Sequence, residues 1–218
     1  TPRLERGRTT PRLMIAEYDD YPVATTDHCL HCFDTVANHF SLLAAAPLPS
    51  FATHAACPLF VTWKSRANGA PSLRGCIGCL KPLPITSLRD YALTSALRDQ
   101  RFDPIEPREL PQLSCTVSLL THFERARDAH DWEVGSHGVL IDFDDPSGVA
   151  RSGVYLPEVM VEQGWSRQQT IDSLIRKAGF KHTITDQLRH SLRLTRFRST
   201  TATASYEQWA QARSGATL

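Results

Sequence analysis

Ser72-Leu73-Arg74-Gly75-Cys76-Ile77-Gly78-Cys79-Leu80 is the stretch from which the rest of the chain is read. A thiol stands between two glycines, with a guanidinium two residues upstream. Glycine gives up side-chain packing and weakens a strand, so it marks a bulge or a close approach. Two readings stay open. Cys76 is either a small apolar filler in a bulged, buried strand or a reactive thiol whose pKa is lowered by Arg74. Upstream, Leu59-Phe60-Val61-Thr62-Trp63-Lys64 is rich in β-branched and aromatic residues and reads as a strand, and Asn68-Gly69 supplies a tight turn. The glycine-cysteine segment is then the return strand of a hairpin, closed by Pro82 and Pro84.

Further out, Cys29, Phe33, Val36, Phe40 and Leu43 recur at helical spacing and predict a helix from Asp27 to about Ala46, ended by Pro47 and Pro49. Ser87 with Asp90 reads as a capping box. It opens a helix whose inward face is Leu88, Tyr91, Ala92, Ser95 and Ala96. Phe102 to Leu110 holds Pro104 and Pro107 and is a loop. Leu113, Cys115, Val117 and Leu119 alternate with Ser114, Thr116 and Ser118, which predicts a half-buried strand with Cys115 in the core. A second hairpin pairs Val139 to Phe143 with Val149 to Leu156 across Asp145-Pro146-Ser147-Gly148, with His137 and Gly138 at its mouth. Ser166 with Gln169 starts a helix carrying Ile171, Leu174, Ile175 and Ala178 on one face, stopped by Gly179. After a polar linker around Thr183 to His190, Leu192 to Ser199 reads as a strand, and Tyr206 to Ala212 as a short helix.

At 218 residues, 41% hydrophobic and 22% charged, the chain is long enough to bury one substantial core. Lys plus Arg at 24 against Asp plus Glu at 23 gives a formal charge of +1, so any nucleic-acid contact must be local. No apolar run nears the roughly 18 residues of a membrane span, and no leader resembles a signal peptide, so a cytoplasmic or nuclear, intracellular protein is expected. Six cysteines are too sparse for a disulfide scaffold. The first two dozen residues, with Arg3, Arg6, Arg8 and Arg12 and then Glu17, Asp19 and Asp20, read as a flexible arm. Residues 1–26 are thus an arm, 27–212 the folded domain and 213–218 a tail.

The hexapeptide Leu73 to Gly78 resembles the signature of the AMME-chromosomal-region (AMMECR) protein family. Asp131-Trp132-Glu133-Val134-Gly135-Ser136-His137-Gly138, Tyr155-Leu156-Pro157-Glu158-Val159 and Thr170 to Gly179 follow in that family's order and spacing. The similarity runs from about Cys32 to Trp209 and is closest to the eukaryotic branch. It implies a single α+β domain, an antiparallel sheet flanked by helices, with a larger and a smaller subdomain. The family is regarded as a suspected enzyme of unknown reaction. Its sheet is likened to nucleic-acid-binding and nucleotide-binding folds, and some microbial relatives lie beside radical-enzyme domains.

Cys29-x-x-Cys32 and Cys76-x-x-Cys79 have zinc-like spacing. Strand residues three apart face opposite ways and the first pair belongs to a helix's apolar face, so no metal is assigned, and no cofactor either. His28, His31 and His39 read as a solvated helix flank. For thiol chemistry the minimum is a nucleophile, a base and an anion-stabilising donor. Cys76, His137 and Arg74 supply those three types; Cys76, His137 and Glu158 are the catalytic candidates, Glu158 as the group that orients His137 or acts as an acid, and Arg74, Gly75, Gly78 and Tyr155 are the substrate-binding ones. Glu158 is equally a helix-start carboxylate, and Tyr155 equally a core aromatic. Arg193, Arg196 and Arg198, with Arg189 and Phe197, are nucleic-acid candidates, or edge-strand charges that block strand pairing. Expected is a thiol-dependent enzyme acting on a nucleotide, nucleic acid or modified macromolecule; the alternative is a non-catalytic binding or adaptor module that holds a ligand or protein partner in the same cleft.

Overall fold

The computed structural model describes residues 22–43, 47–67 and 69–214. The arm's Arg3, Arg6, Arg8, Arg12, Glu17, Asp19 and Asp20, together with Asn68 and residues 215–218, lie outside the described residues.

Six strands make one sheet: β1 (Ala56–Ser65), β2 (Ser72–Pro84), β3 (Leu113–Arg125), β4 (Gly138–Asp144), β5 (Ala150–Tyr155) and β6 (Arg193–Ser205). Their order is β2-β1-β3-β6-β4-β5, antiparallel throughout. Flanking them are α1 (Thr26–His39), α2 (Leu88–Leu97), α3 (Pro157–Gln163), α4 (Arg167–Lys177), α5 (Asp186–Ser191) and α6 (Tyr206–Ser214). Alternation along each strand builds two different faces. On the outer face, Leu59, Val61, Trp63, Cys115, Val117 and Ala204 pack with α1 and α2 into a large core; Val139, Ile141 and Phe143 pack with α4 into a second, smaller one. On the inner face Leu120, Leu140, Leu156 and Phe197 form a third cluster, which also holds Leu80 of β2 and Val154 of β5. Those two strands are the sheet's opposite edges, so the sheet curls around this cluster and brings its edges toward each other.

Close packing explains the glycines. A Cβ on Gly75 would stand 2.1 Å from Ser95 O, so α2 could not lie on the outer face of β2. A Cβ on Gly78 would meet the Phe60 ring at 2.2 Å, and one on Gly138 the Phe197 ring at 2.3 Å.

Several boundaries differ from the sequence expectation. α1 stops at His39 rather than near Ala46: the Leu42 N–H closes onto Ala37 O at 2.9 Å and Ser41 takes a positive φ of 59°, which ends the helix; Ala44 to Ala46 lie outside the described residues. Ser87 is no side-chain cap, because a 3-10 turn at Ile85–Ser87 runs straight into α2 and already satisfies the Leu88 N–H. β2 continues through Pro82 to Pro84, as an edge strand allows. The polar linker contains α5, capped by the Thr185 hydroxyl accepting from the Leu188 N–H at 3.2 Å. β6 extends to Ser205 and is a central strand, not an edge. At the domain's ends, Ala24 is buried with its N–H on Thr200 Oγ1, and Arg213 pairs with the buried Asp34. The capping box at Ser166 and Gln169 and the left-handed Gly179, φ +85°, are present.

Candidate functional site

Cys76 lies opposite Thr62 on the inner face, and the Thr62 hydroxyl donates to its sulfur at 3.2 Å. Its backbone groups point off the open side of β2, where an unpaired strand would leave them bare. Asp99 and Arg101 cover them: Asp99 Oδ2 accepts from the Cys76 N–H at 2.9 Å, and Arg101 Nη2 donates to its carbonyl at 3.0 Å. The two side chains also bond each other, which holds the Asp99 carboxyl down to about 2. Burial pushes the Cys76 thiol up; the Thr62 hydrogen bond and Arg101 oppose this, while Asp99 and Glu158 add to it.

Glu158 is the second residue of α3, after Pro157 in the first turn. It reaches the inner face beside Ser118, whose hydroxyl donates to it at 3.4 Å, and one turn later Glu162 pairs with Lys64 at 2.7 Å. α3 is thereby pinned along β1 and β3, above the row containing Thr62 and Thr116. Burial raises the Glu158 carboxyl above the usual carboxylate range. Lys177 ends α4. Its ammonium donates to Val154 O at 2.8 Å and sits 4.3 Å from the centre of the Tyr155 ring, whose hydroxyl bonds Ser173 at 3.0 Å. The charges of Cys76 and Arg101 both reach Lys177, and burial lowers its pKa. Arg101 and Glu158 are thus near enough to act electrostatically on the Cys76 thiol, while Lys177 is held on the β5 side by Val154 and Tyr155.

Arg74 is not part of this group. The register between β1 and β2 shifts there, Gly75 facing Trp63 and Leu73 facing Lys64, so Arg74 is the extra residue of a bulge. Its guanidinium turns to Glu109 at 2.8 and 2.9 Å and to the carbonyls of Asp103 and Pro104. The cation beside the thiol is Arg101 instead, and its effect is smaller than that of burial. Gly75 and Gly78 admit α2 and Phe60, so the close approach they signal is made by the protein itself.

His137 also stands apart. Its Nδ1 accepts the Glu133 N–H at 3.1 Å and closes a turn whose Gly135 has φ +84°. The charges acting on it are Arg196, Arg198, Glu133 and Glu124, a set disjoint from that around Cys76; burial, the largest influence, lowers its pKa. The arginines of β6 do not form one patch. Strand alternation puts Arg196 and Arg198 on one face and Arg193 with Phe197 on the other, and Phe197 is fully buried, which removes it from any base stacking. Arg193 pairs with Asp144, Arg196 with Glu124 and Asp131, and Arg189 with Asp172 and Asp186.

Cys29 and Cys32 are fully buried, and Cys79 faces away from Cys76 on β2. Among the described residues no group of three or more His, Cys, Asp or Glu side chains is placed to hold a metal ion. His28 is not solvated as expected. It is 4% exposed, stacked on Phe51 at 4.0 Å, with Nδ1 accepting the Thr25 N–H, because α1 is covered there by the chain around Phe51. Asp99, Arg101 and Lys177 were missed by sequence reasoning. Lys177 lies inside the Thr170 to Gly179 motif, a signal that could have found it; Asp99 and Arg101 lie in a loop without one.

An α+β chain with a curled six-stranded antiparallel sheet flanked by helices is the class defined by this geometry. The AMMECR1 family profile matches residues 29–202, and the chain belongs to that family. An uncharacterised protein of Arabidopsis thaliana is 48% identical over 191 residues, covering 85% of this chain and 87% of its own. One of Schizosaccharomyces pombe, also uncharacterised, is 37% identical over 189 residues, 84% of this chain and 94% of its own. The crystal structure of an uncharacterised Pyrococcus horikoshii protein shares the fold, with a TM-score of 0.66 at 23% identity over 83% of this chain and 93% of that one. Among the described residues no helix is long and apolar enough to cross a membrane.

Proposed function

We propose that the protein is a thiol-dependent enzyme acting at an electrophilic carbon of a nucleotide, nucleic acid or modified macromolecule. Cys76 is the nucleophile and Glu158 the general base. What supports this reading is that the Thr62 hydroxyl donates to the Cys76 sulfur and the Ser118 hydroxyl to Glu158, on the same inner face of adjoining strands. Arg101 is held on the Cys76 carbonyl, and burial raises both acids. A protonated thiol needs a base at the moment of attack, and a carboxyl shifted upward is better matched to that proton than an ordinary one. In the step, the sulfur bonds the carbon while its proton passes to Glu158. The bond to the leaving group breaks, and Glu158 returns the proton to that group. Water, deprotonated by Glu158, then releases the product from the thioester or equivalent adduct and restores the thiol. Thr62 holds the sulfur in place.

The neutral resting thiol also favours a second reading, a binding or adaptor cleft in which Cys76 is only a polar contact. An activated ester separates the two. With p-nitrophenyl acetate, the enzyme acetylates Cys76 with release of one nitrophenolate, and Glu158→Gln slows this about 100-fold. Equal rates in wild type and Glu158→Gln, or acetylation elsewhere, leave the binding module.

A further inference from the structure

β2 is an edge strand, so on one side its backbone groups meet no neighbouring strand. In an antiparallel pair those groups alternate, one residue turned toward the partner and the next away from it. Cys76 is turned away, since its N–H and carbonyl go to Asp99 and Arg101. The register with β1 is unbroken from Cys76, opposite Thr62, to Gly78, opposite Phe60, so Gly78 is turned away as well. No hydrogen bond among the described residues takes its N–H or its carbonyl. On either side of it the edge is defended. At Cys76 the Asp99 carboxylate and the Arg101 guanidinium stand where the acceptor and donor of a neighbouring strand would be, and further along Pro82 and Pro84 have no N–H to offer. Between these defences Gly78 keeps a donor and an acceptor side by side, two residues from the thiol. The Phe60 ring fills the space above it on the inner face, and the residue is still partly exposed.

We infer that the edge of β2 at Gly78 seats an extended peptide, which pairs its own N–H and C=O groups with those of Gly78 and so presents a side chain to Cys76. An uncharged donor and acceptor in the plane of a sheet match a second peptide backbone and offer nothing to hold a phosphate chain. The peptide residue opposite Gly78 turns its side chain to the inner face, where Cys76 also points, at a diagonal separation of roughly 7 Å that a long side chain spans. The inference deepens the proposed function and rests on it for the chemistry that follows binding: the modified macromolecule is a polypeptide, met by the thiol at an electrophilic carbon on a side chain.

Labelling of Cys76 in the full chain at one pH, read by peptide mass spectrometry, tests it. The reagents are iodoacetamide, the peptide Ac-Ala-Ala-Lys(Nε-iodoacetyl)-Ala-Ala-NH2, the same peptide N-methylated at the lysine and both its neighbours, and a thymidine pentanucleotide carrying the same iodoacetyl group. The unmethylated peptide should label Cys76 about tenfold faster than iodoacetamide, and N-methylation should remove most of that gain, because the donor to the Gly78 carbonyl is lost. Peptide labelling no faster than iodoacetamide overturns the inference, as does an N-methylated peptide that labels equally fast. An oligonucleotide that labels faster than the peptide gives the edge to nucleic acid instead. Amide-resolved hydrogen exchange is the second readout: the Gly78 N–H should exchange faster than those of Ile77 and Cys79 in the free protein and slow about tenfold once the peptide is attached. A Gly78 N–H as protected as its neighbours in the free protein refutes the open edge. Rates taken relative to iodoacetamide cancel the ionisation of the thiol, so failure of the peptide leaves the acetylation test of Cys76 and Glu158 standing, and failure of acetylation leaves the peptide seat standing.

Discussion

Cys76 and His137 are both reactive residue types beside glycines, and the fold treats them in opposite ways. Around Cys76, Thr62, Arg101 and Glu158 arrive from three other segments; Arg101 also caps the strand's open carbonyl, but the Thr62 hydroxyl bonds the sulfur itself. At His137 the imidazole accepts a backbone N–H from four residues earlier, so its ring is engaged in forming the loop that carries it. Gly138 beside it is demanded by the Phe197 ring. A glycine-flanked reactive residue is therefore no marker of a site in itself. What sets the thiol apart is that a side-chain hydroxyl, that of Thr62, is aimed at the reactive atom itself, whereas the His137 Nδ1 is taken up by the backbone of its own loop.

That contrast can be broken at several points. The largest effects belong to the glycines. Gly75→Ala and Gly138→Ala should each destabilise by about 3 kcal/mol in urea denaturation, since an added methyl meets a backbone carbonyl in one and a buried ring in the other. A loss below about 1 kcal/mol at Gly75 would mean that α2 does not lie as close to β2 as described. Next is Asp99→Asn, expected to cost about 1–2 kcal/mol at neutral pH because the Cys76 N–H and Arg101 lose a charged partner. The folded Asp99 carboxyl titrates at about 2, below its unfolded value of about 3.9, so its stabilisation is present above that unfolded value and is lost as pH falls through about 2. The mutant should lack that part of the acid transition.

Smaller again is His137→Ala, which removes one partly exposed hydrogen bond and should cost about 1 kcal/mol while leaving alkylation of Cys76 unchanged. A change in Cys76 reactivity would join the two regions and undo the contrast. The smallest effect is at Glu158. Burial raises its folded pKa, so the stability it contributes is present at acid pH and is lost as pH rises through the raised value. Glu158→Gln should raise the melting temperature at neutral pH and give no such gain near pH 4.

Much of this was legible in the sequence wherever one segment carries its own signal. The alternation of Leu113 to Leu119 specifies β3 and its buried side, and Ser166, Gln169 and Gly179 mark both ends of α4. α5 escaped because six residues are too few to show a period. The far half of β6 escaped because Ser199 to Ser205 is threonine and alanine without apolar alternation, and its pairing with β3 makes it a strand. The site divides the same way. Cys76 and Glu158 sit in recognisable motifs, but which cation faces the thiol depends on a bulge that turns Arg74 aside and on a loop that folds Arg101 back onto the edge of β2. Neither is written in the spacing of residues along one strand.

The central claim is that burial sets the state of the Cys76 sulfur, with Arg101 and Glu158 acting on it from opposite directions. It is tested by the pH dependence of iodoacetamide labelling at Cys76, read by peptide mass spectrometry in a Cys79→Ser background. The inflection should lie above that of an ordinary thiol, move down in Glu158→Gln and move up in Arg101→Gln. An inflection below the ordinary value, or one that neither substitution moves, would contradict it.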